Sequence, residues 1–192
     1  MIKLKKKIII SFMGVDGAGK TTLAKNLIKK IKKSQYLHLK PYIFFLDRRT
    51  MIKDPQNQNK SSFFVSFLRL AGWLISYKFF FVQSDSKKIY IFDRYAHDIL
   101  IDPLRYKHSL SQKTTKYFLN FFPKPNLWIF LNPSLKTIKS RKLELTEDEL
   151  SRQIREYYQF FRKKKNVLML NTSMDKKKLI IKILKKIKIL IR

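Results

Sequence analysis

Apolar positions along the chain fall into short continuous runs separated by longer helical stripes. Residues 7–12 form a β-branched run after a cluster of lysines, which predicts a buried first strand. From 20 to 33, Leu23, Leu27, Ile28 and Ile31 recur at helical spacing among lysines, the pattern of an amphipathic helix. Residues 42–46, 89–92, 127–131 and 167–170 predict further short strands. The run at 127–131 is introduced by Pro123 and Pro125 and closed by Pro133. In the tail, 175–192, Leu179, Ile180, Ile183, Leu184 and Ile187 share one face, predicting a closing helix packed on the sheet and capped by Thr172 or Ser173. Strands alternating with helices predict the α/β class, a parallel sheet covered on both faces in three α/β/α layers. With no internal repeat and no flexible linker, 1–192 reads as a single domain.

Two segments imitate membrane signals. The start, with Lys3, Lys5, Lys6 and Lys7 before an apolar run, resembles a secretory leader, but a glycine-rich motif begins inside the would-be apolar region. Residues 62–82 are strongly apolar but interrupted by Arg69 and Lys78, and central charges are costly in lipid. They are read as a long buried helix, so a soluble, cytoplasmic protein without stable membrane insertion is expected.

Composition narrows the classes. With 45% hydrophobic and 14% aromatic residues the chain can build a core, which excludes intrinsic disorder. The absence of cysteine excludes a disulfide framework, a thiolate metal site and a Cys nucleophile. Lys and Arg number 43 against 13 Asp and Glu, a net charge of +30. Such a field attracts phosphate-bearing partners. It is also what an A+T-rich coding sequence yields, through abundant Lys, whatever the protein does.

The chemistry concentrates in two motifs. Gly14-Val15-Asp16-Gly17-Ala18-Gly19-Lys20-Thr21, followed by Thr22, fits the Walker A pattern between a hydrophobic strand and an amphipathic helix. Its glycines let backbone N–H groups turn toward phosphate oxygens at a helix N-terminus. Lys20 would reach the β and γ phosphates, and the Thr21 hydroxyl would ligate Mg²⁺. Asp93 ends the apolar run Ile89-Tyr90-Ile91-Phe92 as a Walker B carboxylate, a second magnesium ligand. Arg94 beside it suits a phosphate already on the acceptor, or else an ion pair with Asp98 or Asp102. His97 and His108 have no ligand or triad partner at a recognisable spacing and are read as packing or surface residues.

Residues 12–22 together with Phe92-Asp93-Arg94-Tyr95 resemble the thymidylate kinase family, and Leu131-Asn132-Pro133, Arg141 and Lys142, and Tyr157 and Tyr158 follow in the family's order. The resemblance implies a P-loop NTPase-type kinase with a five-stranded parallel sheet, a lid at about 141–152, and ATP with Mg²⁺ as cofactors. The implied reaction is phosphoryl transfer from ATP to dTMP. It casts Asp16 as the contact to the acceptor's sugar hydroxyl and Arg94 as the acceptor-phosphate arginine. Arg141, less securely Arg152 or Arg155, would be the charge that meets the transferring phosphoryl group, and a homodimer is implied too. Residues 96–106 depart from the usual family pattern. With Asp98-Ile99-Leu100-Ile101-Asp102-Pro103 and a Lys142-x-Glu144-Leu145-Thr146 lid, the chain looks closer to a divergent group met in surface-polysaccharide gene clusters. The acceptor therefore stands open between dTMP and another phosphorylated or glycan-related compound.

A basic nucleic-acid- or membrane-binding protein switched by nucleotide is the third reading. GTPase switching is disfavoured because Asn59-Lys60-Ser61-Ser62 lacks the Asp of a guanine motif, and a shikimate-type kinase because Gly72 is the only glycine outside the loop. The aromatics cluster in apolar runs instead of interleaving with a basic patch, so no specific nucleic-acid partner is expected.

Overall fold

The computed structural model describes residues 6–39, 59–134, 138 and 146–191. The strand expected at 42–46 and the lid residues 141–145, Arg141 among them, lie outside the described residues. Five parallel strands, β1 (Ile8–Met13), β2 (Ser34–His38), β3 (Ile89–Asp93), β4 (Leu127–Asn132) and β5 (Val167–Asn171), stand in the order β2-β3-β1-β4-β5. The helices are α1 (Lys20–Ile28), α2 (Phe63–Gln83), α3 (Gln112–Leu119), α4 (Glu147–Arg162) and α5 (Lys176–Ile191). The expected α/β class and five-stranded parallel sheet are what the chain forms.

The chain divides into two compact units, one comprising Met1–His38, Asp85–Tyr95 and Lys124–Arg192, the other Leu39–Ser84 and Ala96–Pro123. The first holds the sheet. β1, β3 and the first five residues of β4 are buried because helices cover both faces, which is why they are almost wholly apolar. Right-handed crossovers leaving β1 toward β2 and β4 toward β5 run in opposite directions, so α1 and α4 lie on opposite faces. α5 returns to pack beside α1. Under α4, Phe130 stacks on Tyr157 and Phe161 at 5.5 and 5.2 Å between ring centres, and Trp128 meets Phe161 at 5.9 Å.

Two expectations need correction in this unit. The first helix ends at Ile28, not at 33, and residues 34–38 form edge strand β2, in which Leu37 alone is buried. An edge strand needs little apolar sequence, so no run announces it. The closing helix is capped by Asp175, whose carboxylate accepts from the N–H groups of Lys177 and Lys178 at 3.1 and 3.3 Å, not by Thr172 or Ser173.

The second unit is built on α2, with α3 and two short 3-10 turns, Ala96–Leu100 and Leu104–Tyr106. Tyr77 is fully buried; its hydroxyl donates to the Leu39 carbonyl and accepts from the Ala96 N–H at 3.2 Å. Trp73 packs edge-on against Tyr106, and Arg69 donates to the Tyr106 carbonyl. The expectation of a buried helix at 62–82 holds for one face only, that of Ser66, Leu70, Trp73, Ser76 and Tyr77. Phe64, Val65, Leu68, Ile75, Phe79 and Val82 face solvent.

Candidate functional site

Parallel register sets Phe12 of β1 and His38 of β2 level with Asp93 of β3, so the carboxyl ends of three strands meet where the glycine loop begins. That edge is where open α/β sheets place ligands. The loop, residues 14–19, turns through positive φ at Gly14 (143°), Gly17 (75°) and Gly19 (89°). At Gly14 an added Cβ would lie 2.6 Å from the Leu131 carbonyl oxygen of β4, so glycine alone fits. Gly19 begins α1 in the left-handed conformation and offers no side chain to cap it. The first N–H groups of α1 thus have no side-chain cap, and its first turn holds no acidic residue, an anion-binding end.

Lys20 is buried and folds back over the loop, its Nζ donating to the carbonyls of Gly14 and Val15 at 2.8 and 2.7 Å. It also stands 3.8 Å from Asp16 Oδ1. Ala18 closes the loop by donating its N–H to Val15 O at 3.3 Å. Thr22 is exposed on the first turn of α1.

Asp93 is buried, with three groups around one oxygen. The Thr21 hydroxyl donates to Oδ2 at 2.5 Å, the Tyr36 hydroxyl donates at 2.9 Å, and His38 Nδ1 lies 3.7 Å away. The other oxygen, Oδ1, is buried with no hydrogen-bond partner. Burial alone would raise this carboxyl's pKa; His38, the charge of Lys20, Thr21 and Tyr36 together outweigh it and hold the group well below the usual carboxylate range. A charged carboxylate with an orphaned buried oxygen, next to a threonine hydroxyl, is a hard oxygen donor set that fits Mg²⁺.

Arg94 adopts φ 73°, rare for a residue with a side chain. Its N–H is held by Phe12 O at 2.9 Å, and its guanidinium pairs with Asp16 across the loop. Asp98 accepts from the Tyr106 hydroxyl at 2.8 Å, and Asp102 pairs with Arg105 at 2.9 Å. The structure therefore gathers Gly14, Asp16, Gly17, Ala18, Gly19, Lys20, Thr21, Asp93 and Arg94 at one sheet edge. Arg152 is held within α4 by Glu149 and Glu156 at 2.6 and 2.7 Å, while Arg155 is exposed. Tyr36 and His38 belong to this edge but carry no motif, and the strand that places them was not legible.

No protein-family profile matches the sequence, and no curated protein matches it. Solved structures do. A thymidylate kinase from Candida albicans, whose structure is described as revealing the origin of broad substrate specificity, superposes with a TM-score of 0.66 at 16% identity, over 95% of this chain and 92% of that one. A deoxyadenosine kinase from M. mycoides with bound dATP gives 0.60 at 19% identity, over 94% and 99%. A thymidylate kinase from Ehrlichia chaffeensis gives 0.62 at 16% identity, over 94% and 98%. Sheet order, loop position and these superpositions agree that the chain carries the α/β nucleotide-kinase fold seen in thymidylate and deoxyadenosine kinases.

Proposed function

We propose that the protein is an ATP-dependent nucleotide kinase, 1–192 acting as one kinase domain, with dTMP as the leading acceptor. One observation carries this reading: a helix start left without side-chain cap or acid, wrapped by a left-handed glycine loop, with Lys20 above it and the Thr21–Asp93 pair beside it. Lys20 exchanges two carbonyl oxygens for β and γ phosphate oxygens, and the α1 N-terminus takes the rest of that charge. Thr21 and Asp93 hold Mg²⁺, which when bound neutralises charge on the phosphates. Arg94 leaves Asp16 for the acceptor phosphate, freeing the Asp16 carboxylate for the acceptor's sugar hydroxyl. Arg141 of the lid adds charge at the transferring group. Nothing covalent is required, since alignment and charge neutralisation carry phosphoryl transfer.

A second acceptor class is suggested by 96–106, a segment unlike the usual thymidylate kinase pattern, in which Asp98 accepts from Tyr106 and Asp102 pairs with Arg105. In that reading the same phosphate machinery serves a phosphorylated glycan precursor of surface-polysaccharide synthesis. We place the protein in the cytoplasm, where ATP and both acceptors are made, and a homodimer remains part of the family-based reading.

ADP formation with magnesium, measured against dTMP, other nucleoside monophosphates, deoxynucleosides, sugar phosphates and no acceptor, tests this. Turnover with dTMP, lost in Lys20→Ala, supports the leading reading. Turnover with sugar phosphates alone moves the assignment to the second acceptor class. ATP binding without turnover on any acceptor overturns the kinase reading.

A further inference from the structure

β2 brings to the carboxyl edge of the sheet two side chains that no motif announces. In parallel register Tyr36 stands level with Ile91 of β3, and His38 level with Asp93. Alternation along each strand puts Tyr36, His38, Ile91 and Asp93 on one face of the sheet. From two residues back, the Tyr36 ring carries its hydroxyl forward to Asp93 Oδ2, to which it donates at 2.9 Å. β2 buries Leu37 and leaves Tyr36 half-buried, so packing here asks for a ring and not for a hydroxyl.

What the hydroxyl adds is orientation. A carboxylate turns about its last torsion in a broad, roughly two-fold well, so burial alone does not fix where its oxygens point. Asp93 is held from two elements on one oxygen: Thr21 of α1 donates to Oδ2 at 2.5 Å, and Tyr36 of β2 at 2.9 Å. His38 Nδ1, on an exposed side chain, lies 3.7 Å off, outside ordinary hydrogen-bond range. Thr21 is itself a metal ligand in the kinase reading. Among the described residues, that leaves Tyr36 as the close donor that orients Asp93 from outside the metal's own donor set. With Oδ2 so occupied, the buried Oδ1 has no hydrogen-bond partner among the described residues and is the oxygen left for a cation.

We propose that Tyr36 is a positioning residue for the magnesium site: its hydroxyl holds the Asp93 carboxylate in the orientation that keeps Oδ1 available to the ion. The proposal rests on the kinase reading, in which Thr21 and Asp93 hold Mg²⁺. Partners that orient a metal ligand from outside typically set metal affinity by about 10–100-fold. Mg²⁺ demands near-ideal octahedral geometry, whereas Ca²⁺ tolerates a flexible shell, so a loosened carboxylate costs Mg²⁺ more. A tyrosine that served packing alone would show no such preference.

Metal binding to the ADP-loaded full chain, followed by calorimetry, tests it free of turnover and of the acceptor's identity. Tyr36→Phe keeps the ring and removes the donor. It is expected to weaken Mg²⁺ binding about tenfold, to weaken Ca²⁺ binding less, and to leave metal-free ADP affinity unchanged. In an Asp93→Ala background the same substitution adds no further loss, because Tyr36 acts through that carboxylate. Equal Mg²⁺ affinity in the wild type and in Tyr36→Phe overturns the proposal and leaves the kinase reading standing. So does a loss that persists without the Asp93 carboxylate, or one that falls equally on metal-free ADP, since either would make Tyr36 a packing residue of β2. A wild-type chain that binds ADP without any response to Mg²⁺ overturns the kinase reading and the proposal together.

Discussion

Two helices of the sheet-bearing unit begin in opposite ways. At α4, the Thr146 hydroxyl accepts from the Glu149 N–H at 3.4 Å, and Glu147, Asp148 and Glu149 fill the first turn. Its partial positive charge is met from within the chain. At α1 a glycine replaces the hydroxyl, no acid follows, and the first helical residue is Lys20. A cap contributes about 1 kcal/mol and each favourable acid a few tenths more, so the start of α1 forgoes stability that α4 takes. The difference separates an end built to hold itself from one built to hold something else.

The largest expected effect comes from removing the cation at the open end. Lys20→Ala lowers phosphoryl transfer about 10²–10³-fold, measured as steady-state ADP formation, and weakens ATP binding by calorimetry. Next is Gly14→Ala, which must push the loop off the Leu131 carbonyl or hold a side chain at φ 143°. It is expected to cost about 1–3 kcal/mol in thermal unfolding and to blunt the stabilisation that ATP gives the wild-type chain. Thr146→Ala, at the closed end, costs about 1 kcal/mol and leaves ATP affinity unchanged; a fall in affinity would break the comparison.

A pH-dependent effect, read on stability alone, concerns a third helix start. Ser111 caps α3 through the Thr114 N–H at 3.1 Å, and Thr115 gives its hydroxyl proton to the Ser111 carbonyl at 2.8 Å. Thr115 Oγ1 therefore accepts from His108 Nε2 at 2.7 Å, fixing the proton there and leaving the buried Nδ1 bare. Burial, then the nearby charge of Arg69, lowers the His108 pKa from 6.5 to about 4. Between those values the unfolded chain binds a proton that the folded chain refuses, so stability is lost as pH falls from about 6.5 toward 4. Denaturant midpoints across that range should flatten in His108→Gln, while ATP binding at neutral pH is unchanged.

How much of this was legible depended on what each residue must do alone. The glycine loop was readable because phosphate binding needs a fixed order of small residues and a lysine, and four of the five strands because burial demands apolar runs. β2 was hidden since Ser34–His38 needs only Leu37 inside, and Tyr36 and His38 were lost to the site with it. The pairing of Arg94 with Asp16 joins residues 78 positions apart, beyond any local pattern. At α2 the reverse error occurred: periodicity reports that a face is apolar, not whether the chain itself covers it.

The strand order has a consequence for synthesis. β1 is the centre of the sheet yet the first strand to be made, and its partners β3 and β4 follow roughly 80 and 120 residues later. At about 5–20 residues per second, Ile8–Met13 waits some 4–16 s for its first central neighbour. Throughout that interval a six-residue apolar strand has two open edges, so the nascent chain calls for protection by a chaperone well before there is a loop to receive a phosphate.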